Sequence, residues 1–117
     1  MKITVQIRQI AILFILFLTG CTDPFSDTHS QVTPDHLKAA QGKALQLCAG
    51  CHGPTGIGTA SFNPNLACQK KEYMVKQLNY YRDGSRTTHR PMSNIAKLLT
   101  DEEVELISEW YSITGCQ

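Results

Sequence analysis

The chain has 117 residues, 42% of them apolar and 18% charged, with eleven Lys and Arg against ten Asp and Glu. That length allows one small domain around one core and excludes a multidomain protein. The near-balance of charge gives none of the broad basic field that nucleic-acid binding needs, so nucleic acid is not an expected partner.

Residues 1–20 read as a signal peptide, because Lys2 and Arg8 precede the apolar run Ile10 to Leu18 and a small-residue step. A spanning helix would need about 20 apolar residues, and this run is nine. The step Leu18-Thr19-Gly20-Cys21 resembles the lipobox of bacterial lipoproteins. It implies cleavage before Cys21 and lipidation of that cysteine, the alternative being a plain signal peptide with an unrelated cysteine. The expected mature chain has 97 residues with nine basic and ten acidic side chains. It would be lipid-anchored on the periplasmic side of a bacterial membrane, an oxidising compartment where spare thiols pair. Residues 21–33 are polar and aperiodic, a tether with an r.m.s. span of about 20 Å if flexible.

The domain is expected over residues 34–117. Thr33 before Pro34 reads as an N-cap with proline at the first helical position. Leu37, Ala40, Ala44, Leu47 and Cys48 then recur at helical spacing, predicting a helix from Pro34 into Cys48. Gly53 to Ala67, broken by Gly53, Pro54, Gly56, Gly58 and Pro64, predicts a long loop of the kind that usually carries function. A second helix is predicted over Lys70 to Asp83, with Met74, Val75, Leu78 and Tyr81 on one face and Gly84 as its stop. Ser85 to Asn94 reads as a second loop, followed by a short helical turn at Ile95 to Leu99. Thr100 and Glu103 form a capping-box pattern opening a last helix to about Ser112, with Val104, Ile107, Trp110 and Tyr111 inward. No stretch alternates like a strand, so the fold class is all-α.

The chemistry concentrates in Leu47 to Gly56, "LCAGCHGPTG". Cys48, Cys51 and His52 could serve zinc, a thiol redox couple or haem. A thioredoxin-like pair needs a βαβ setting that an all-α chain lacks, and structural zinc needs four ligands, commonly a second close pair, whereas Cys68 and Cys116 are isolated. Cys-x-x-Cys-His is instead the c-type haem attachment sequence: two thiols add across the two porphyrin vinyl groups, and the histidine follows beneath the ring.

From about Gln41 to Ile113 the chain resembles the class I c-type cytochromes. The likeness rests on "CAGCHG" at Cys48 to Gly53, "NPNLA" at Asn63 to Ala67, "EYMVKQL" at Glu72 to Leu78, "RPM" at Arg90 to Met92 and "LTDEEVELISEWY" at Leu99 to Tyr111. It implies a small fold of three to four helices wrapped around one covalent haem c, held by Cys48 and Cys51 with His52 as an axial ligand. It also implies that Pro64 and Leu66 lie along the haem, the Pro64 carbonyl accepting from the His52 ring; read alone, Pro64 could be only a turn residue. For the sixth position, Met74 belongs to an apolar face, His29 and His36 lie in or near the tether, and His89 and Met92 remain. The resemblance points to Met92. It further places Gly42 against Trp110 or Tyr111 where the first and last helices cross, unless these are a tolerated glycine and ordinary core aromatics.

Cys68 and Cys116 fall outside the family pattern, in which many relatives carry glycine at the position of Cys68. A disulfide is the simple expectation in an exported protein, free buried thiols the alternative. Lys70, Lys71, Lys76, Arg82, Arg86, Arg90 and Lys97 are expected to cluster around the haem-edge loops as a docking surface, and Asp101, Glu102, Glu103, Glu105 and Glu109 on the last helix, which predicts either a dipolar carrier steered to an acidic partner or an ordinary charge mixture. The expected activity is one-electron transfer between redox protein partners such as respiratory complexes, oxidases or reductases, by a carrier tethered to the membrane. The alternatives are a haem subunit of a larger oxidase or reductase, or a sensor or peroxidatic protein with an open sixth site.

Overall fold

A computed structural model of the protein describes residues 32–116, and helices are the only regular elements among them, as the all-α expectation requires. The segments expected as signal peptide and, up to Gln31, as tether lie outside the described residues, Cys21 with them. No helix among the described residues is long and apolar enough to cross a membrane.

A 3-10 turn, Asp35–Leu37, leads into α1, Lys38–Leu47; after a kink at Cys48 comes the single turn α2, Ala49–His52. Pro34 itself stands at the N-cap position and no side chain caps the turn, so Thr33 does not play the expected role. The Pro34 carbonyl instead accepts from the Leu37 N–H at 2.9 Å. Then follow α3, Lys71–Asp83, closed by Gly84 in the left-handed conformation; α4, Arg90–Ala96; and α5, Asp101–Ile113. The α5 capping box forms with both bonds, Glu103 N–H to Thr100 Oγ1 at 3.1 Å and Thr100 N–H to Glu103 Oε2 at 2.9 Å.

One expected boundary moves. Residues 90–94 were predicted as loop, yet they begin α4, with Pro91 in its first turn. Proline is a helix breaker only in the interior, where its missing N–H and its ring matter; in the first turn neither does.

Helix α5 is the spine, packing on α1 and on α3, while α3 also packs on α4. Its buried face, Val104, Ile107, Ser108, Trp110 and Tyr111, meets Ala40 and Ala44 from α1 and Met74, Leu78 and Tyr81 from α3. The expected role of Gly42 is overturned: it is exposed, and a Cβ built on it would meet nothing within 4 Å. The small buried residues of α1 are Ala40 and Ala44.

Charges reinforce the same packing. Lys71 on α3 bridges Glu105 and Glu109 on α5, Arg82 pairs with Asp101, Lys43 with Glu103, and His36 with Glu109. Two of the seven basic residues read as a docking cluster, Lys71 and Arg82, therefore answer acids of α5. At the chain's end Cys68 and Cys116 form a disulfide. Cys68 has φ +56°, the one positive φ outside glycine among the described residues, and its N–H donates to the Tyr111 and Thr114 carbonyls at the end of α5.

Candidate functional site

The kink at Cys48 sets the geometry of the site. With φ −109° it separates α2 from α1, Cys48 is half-buried at the junction, Cys51 is exposed, and His52 is buried with 6% exposure. The following loop folds back over α2. Thr59 donates through both its N–H and its hydroxyl to the Cys51 carbonyl, and the N–H groups of Leu66 and Ala67 both reach the Gly56 carbonyl. Two glycines permit this tightness, since a Cβ at Gly53 would overlap the Ile57 carbonyl and one at Gly58 the Asn63 carbonyl.

The loop thereby brings the Pro64 carbonyl to 2.8 Å from His52 Nδ1. A carbonyl can only accept, so Nδ1 carries a proton, and in the neutral ring Nε2 then keeps its lone pair, the form a metal ligand needs. His52 belongs to the wall of a cavity of about 440 Å³ bounded by Leu47, Leu66, Met74, Leu78, Ile95, Leu99, Ile107 and Tyr111, with Met92 on α4 also lining it. Cys48, Cys51, Pro64 and His89 share that lining, so the cavity brings together every residue singled out for haem in the sequence. His89, the rival to Met92, has its Nδ1 turned to the Met92 N–H at 3.4 Å, at the N-cap of α4. Met74 is a core residue at 5% exposure, as its helical face predicts, and it touches the cavity as well.

The donor set matches a macrocycle bearing two vinyl groups and one iron. It offers two thiols on successive turns, one inward imidazole with a fixed tautomer, a soft thioether, and walls that are otherwise mostly apolar. Zinc does not fit, because no group of three or more His, Cys, Asp and Glu converges among the described residues. A thiol redox couple fits no better: burial pushes the Cys48 thiol up to about 11, the Tyr111 hydroxyl pulling weakly the other way, whereas redox cysteines have depressed values.

Two lining residues escaped the sequence reading. Arg86, counted there among surface charges, is the one fixed charge in the lining; its guanidinium lies 4.6 Å from the Tyr81 ring centre and donates to Gln77. Tyr111, counted as plain core, carries a hydroxyl into a buried position with no hydrogen-bond partner among the described residues. Neither signal is visible in sequence, because both depend on which way a helix face turns relative to the cavity.

Comparison with known proteins agrees with this geometry. The sequence pattern of the family described as "Cytochrome c" matches residues 39–111. The thiosulfate dehydrogenase electron acceptor of Stutzerimonas stutzeri (strain A1501) is 35% identical over 81 residues, covering 68% of this chain and 38% of that protein. Cytochrome c4 of Pseudomonas aeruginosa is 38% identical over 96 residues, 78% of this chain and 46% of the relative. Cytochrome c-554(548) of Halomonas halodenitrificans is 36% identical over 76 residues, 63% of this chain and 92% of the relative. The chain thus spans less than half the length of the first two and nearly all of the third. Matched along most of its length and built around a cavity with thiol, imidazole and thioether donors, the chain belongs to the cytochrome c family as a class I c-type cytochrome with covalent haem c.

Proposed function

We propose that this cytochrome is a one-electron carrier in which Cys48 and Cys51 hold a single haem, His52 and Met92 are its axial ligands, and lipidated Cys21 tethers the domain on the periplasmic side of a bacterial membrane. The coarser statement, an electron carrier or the cytochrome subunit of a redox enzyme, is what family membership gives. The observation that carries the ligation is that His52, with Nδ1 taken up by Pro64, and Met92 line one cavity; the tether rests on the lipobox-like step at Cys21.

When bound, the haem iron supplies the one-electron couple. Pro64 fixes the His52 ring and strengthens it as a donor. Met92, a soft thioether, favours the ferrous state and so raises the potential. Leu66, Leu78, Ile95 and Ile107 exclude water from the iron. Phe62 at 81% exposure, with Tyr73 and Cys51 also exposed, borders the cavity where its edge reaches solvent, and electrons would pass there without a substrate pocket. By likeness to the electron acceptor of thiosulfate dehydrogenase, the donor would be a dehydrogenase of the same compartment.

Optical spectra of the haem-loaded protein, reduced and oxidised, with and without carbon monoxide, test this. His52/Met92 ligation gives a low-spin spectrum with a weak far-red methionine-to-ferric band, unmoved by carbon monoxide. Met92→Ala should lose that band, bind carbon monoxide and drop in potential. A wild-type spectrum that responds to carbon monoxide would replace the carrier with an open-site sensor or peroxidatic protein.

A further inference from the structure

We propose that the Tyr111 hydroxyl donates a hydrogen bond to the Cys48 sulfur once that sulfur is a thioether, locking the first attachment arm of the haem against α5 and drawing electron density from it. The inference rests on the reading that Cys48 carries haem.

The argument begins with a group out of place. Tyr111 is 1% exposed and its hydroxyl has no partner among the described residues, although buried hydroxyls are nearly always paired. Phenylalanine would fill the same space without burying an unpaired polar atom. The ring cannot swing the hydroxyl elsewhere. Trp110 packs on it with ring centres 4.5 Å apart, and Gly56 leaves so little room that a Cβ there would lie 3.0 Å from two of its carbons. Rotation about the ring axis leaves the oxygen where it is.

Tyr111 and Cys48 line the same cavity, and their side chains act on each other. Burial raises both acids; Cys48 raises Tyr111 further, whereas the Tyr111 hydroxyl pulls the Cys48 thiol back down. The hydroxyl therefore stays protonated throughout the neutral range and is a donor there. Attachment then decides the direction of the bond. As Cys48 adds across a vinyl group, its sulfur forms the new S–C bond and its hydrogen passes to the other vinyl carbon, with no net oxidation. Before that step the sulfur could donate or accept; afterwards it can only accept. A thioether is a weak acceptor in water, but in a dry cavity the competing solvent is gone and the bond strengthens. Pulling density from the sulfur makes the adjoining ring edge poorer in electrons, which favours ferrous iron.

Tyr111→Phe keeps the packing and removes only the hydroxyl, and the haem-loaded ferrous protein with carbon monoxide or Met92 in the sixth position is low-spin and diamagnetic, which allows proton NMR. The expected result is a slowly exchanging hydroxyl proton with Overhauser contacts to the Cys48 β-protons, absent from Tyr111→Phe, together with a lower midpoint potential and a lower melting temperature in the variant. An unmoved potential with an equal or higher melting temperature overturns the proposal, since that is what removing an unpaired hydroxyl would do. A slow hydroxyl proton whose contacts run to a haem carboxylate arm instead of Cys48 also overturns it. Peptide mass mapping separates the two levels: haem absent from Cys48 sinks the attachment reading itself, whereas haem on Cys48 without the hydroxyl contact sinks only this inference.

Discussion

Gly42 lies in the interior of α1, facing solvent, with open space where a side chain would stand. Glycine in such a position weakens a helix because the unfolded chain has more freedom to lose, by about 0.5–1 kcal/mol relative to alanine. Gly42→Ala should therefore raise the stability of the haem-loaded protein by about that amount in denaturant titration. A tight helix crossing at Gly42 would give the opposite sign. The residue also marks a limit of sequence reading: a helical glycine looks the same whether it faces a partner helix or water. His52 and Pro64 stand at the other extreme. Their pairing is legible because a short loop and a fixed motif leave few ways to satisfy an inward imidazole. The Tyr111 hydroxyl is not legible, since its role depends on a cavity wall that brings together Cys48 and Tyr111, 63 positions apart.

Elements follow local rules, and those rules read well when the chemistry is contained within one turn. The Thr100–Glu103 box is of that kind, as is the Gly84 stop of α3. The start of α4 is not, because Pro91 is compatible with either a loop or a first turn and only the fold chooses. Between elements, Glu109 is the junction: from α5 it accepts from His36 Nε2 at 3.0 Å and from Lys71 Nζ at 2.9 Å, joining the 3-10 turn and α3. The bonds from His36, then from Lys71, hold its carboxyl below the ordinary value of 4.5. A carboxyl depressed in the folded state stabilises above its unfolded value and loses that contribution as pH falls through the folded one. Glu109→Gln should thus be less stable than the parent at pH 7, with the gap closing as pH drops below 4.5. Because the group is partly exposed, about 1 M salt, where the Debye length is about 3 Å, should erase most of the gap. Thermal melts across pH and salt check both.

At the scale of the whole molecule, the order of motifs carries the fold, since five short segments in sequence specify which helices must surround one cofactor. What they omit is how so small a domain stays closed when its core surrounds a cavity. Small domains bury too little apolar surface to rely on packing alone, so covalent links weigh heavily. The Cys68–Cys116 bond spans 48 residues and fastens the end of α5 to the loop that precedes α3. On the chain-entropy model a loop of that length is worth about 4 kcal/mol, a large share of an ordinary domain's roughly 5–15 kcal/mol. Cys68→Ser/Cys116→Ser should lose up to that amount while keeping the reduced and oxidised spectra, because neither residue lines the haem cavity. The backbone at Cys68 separates cross-link from conformation. At φ +56° a non-glycine residue pays about 1 kcal/mol that glycine does not, and the two bonds from its N–H hold it there. Cys68→Gly/Cys116→Ser should accordingly be the more stable of the two reduced-loop variants by roughly 1 kcal/mol. Equal stabilities would mean that the backbone relaxes once the sulfur bridge is gone, and the positive φ would then be a consequence of the disulfide rather than a conformation that the loop imposes on it.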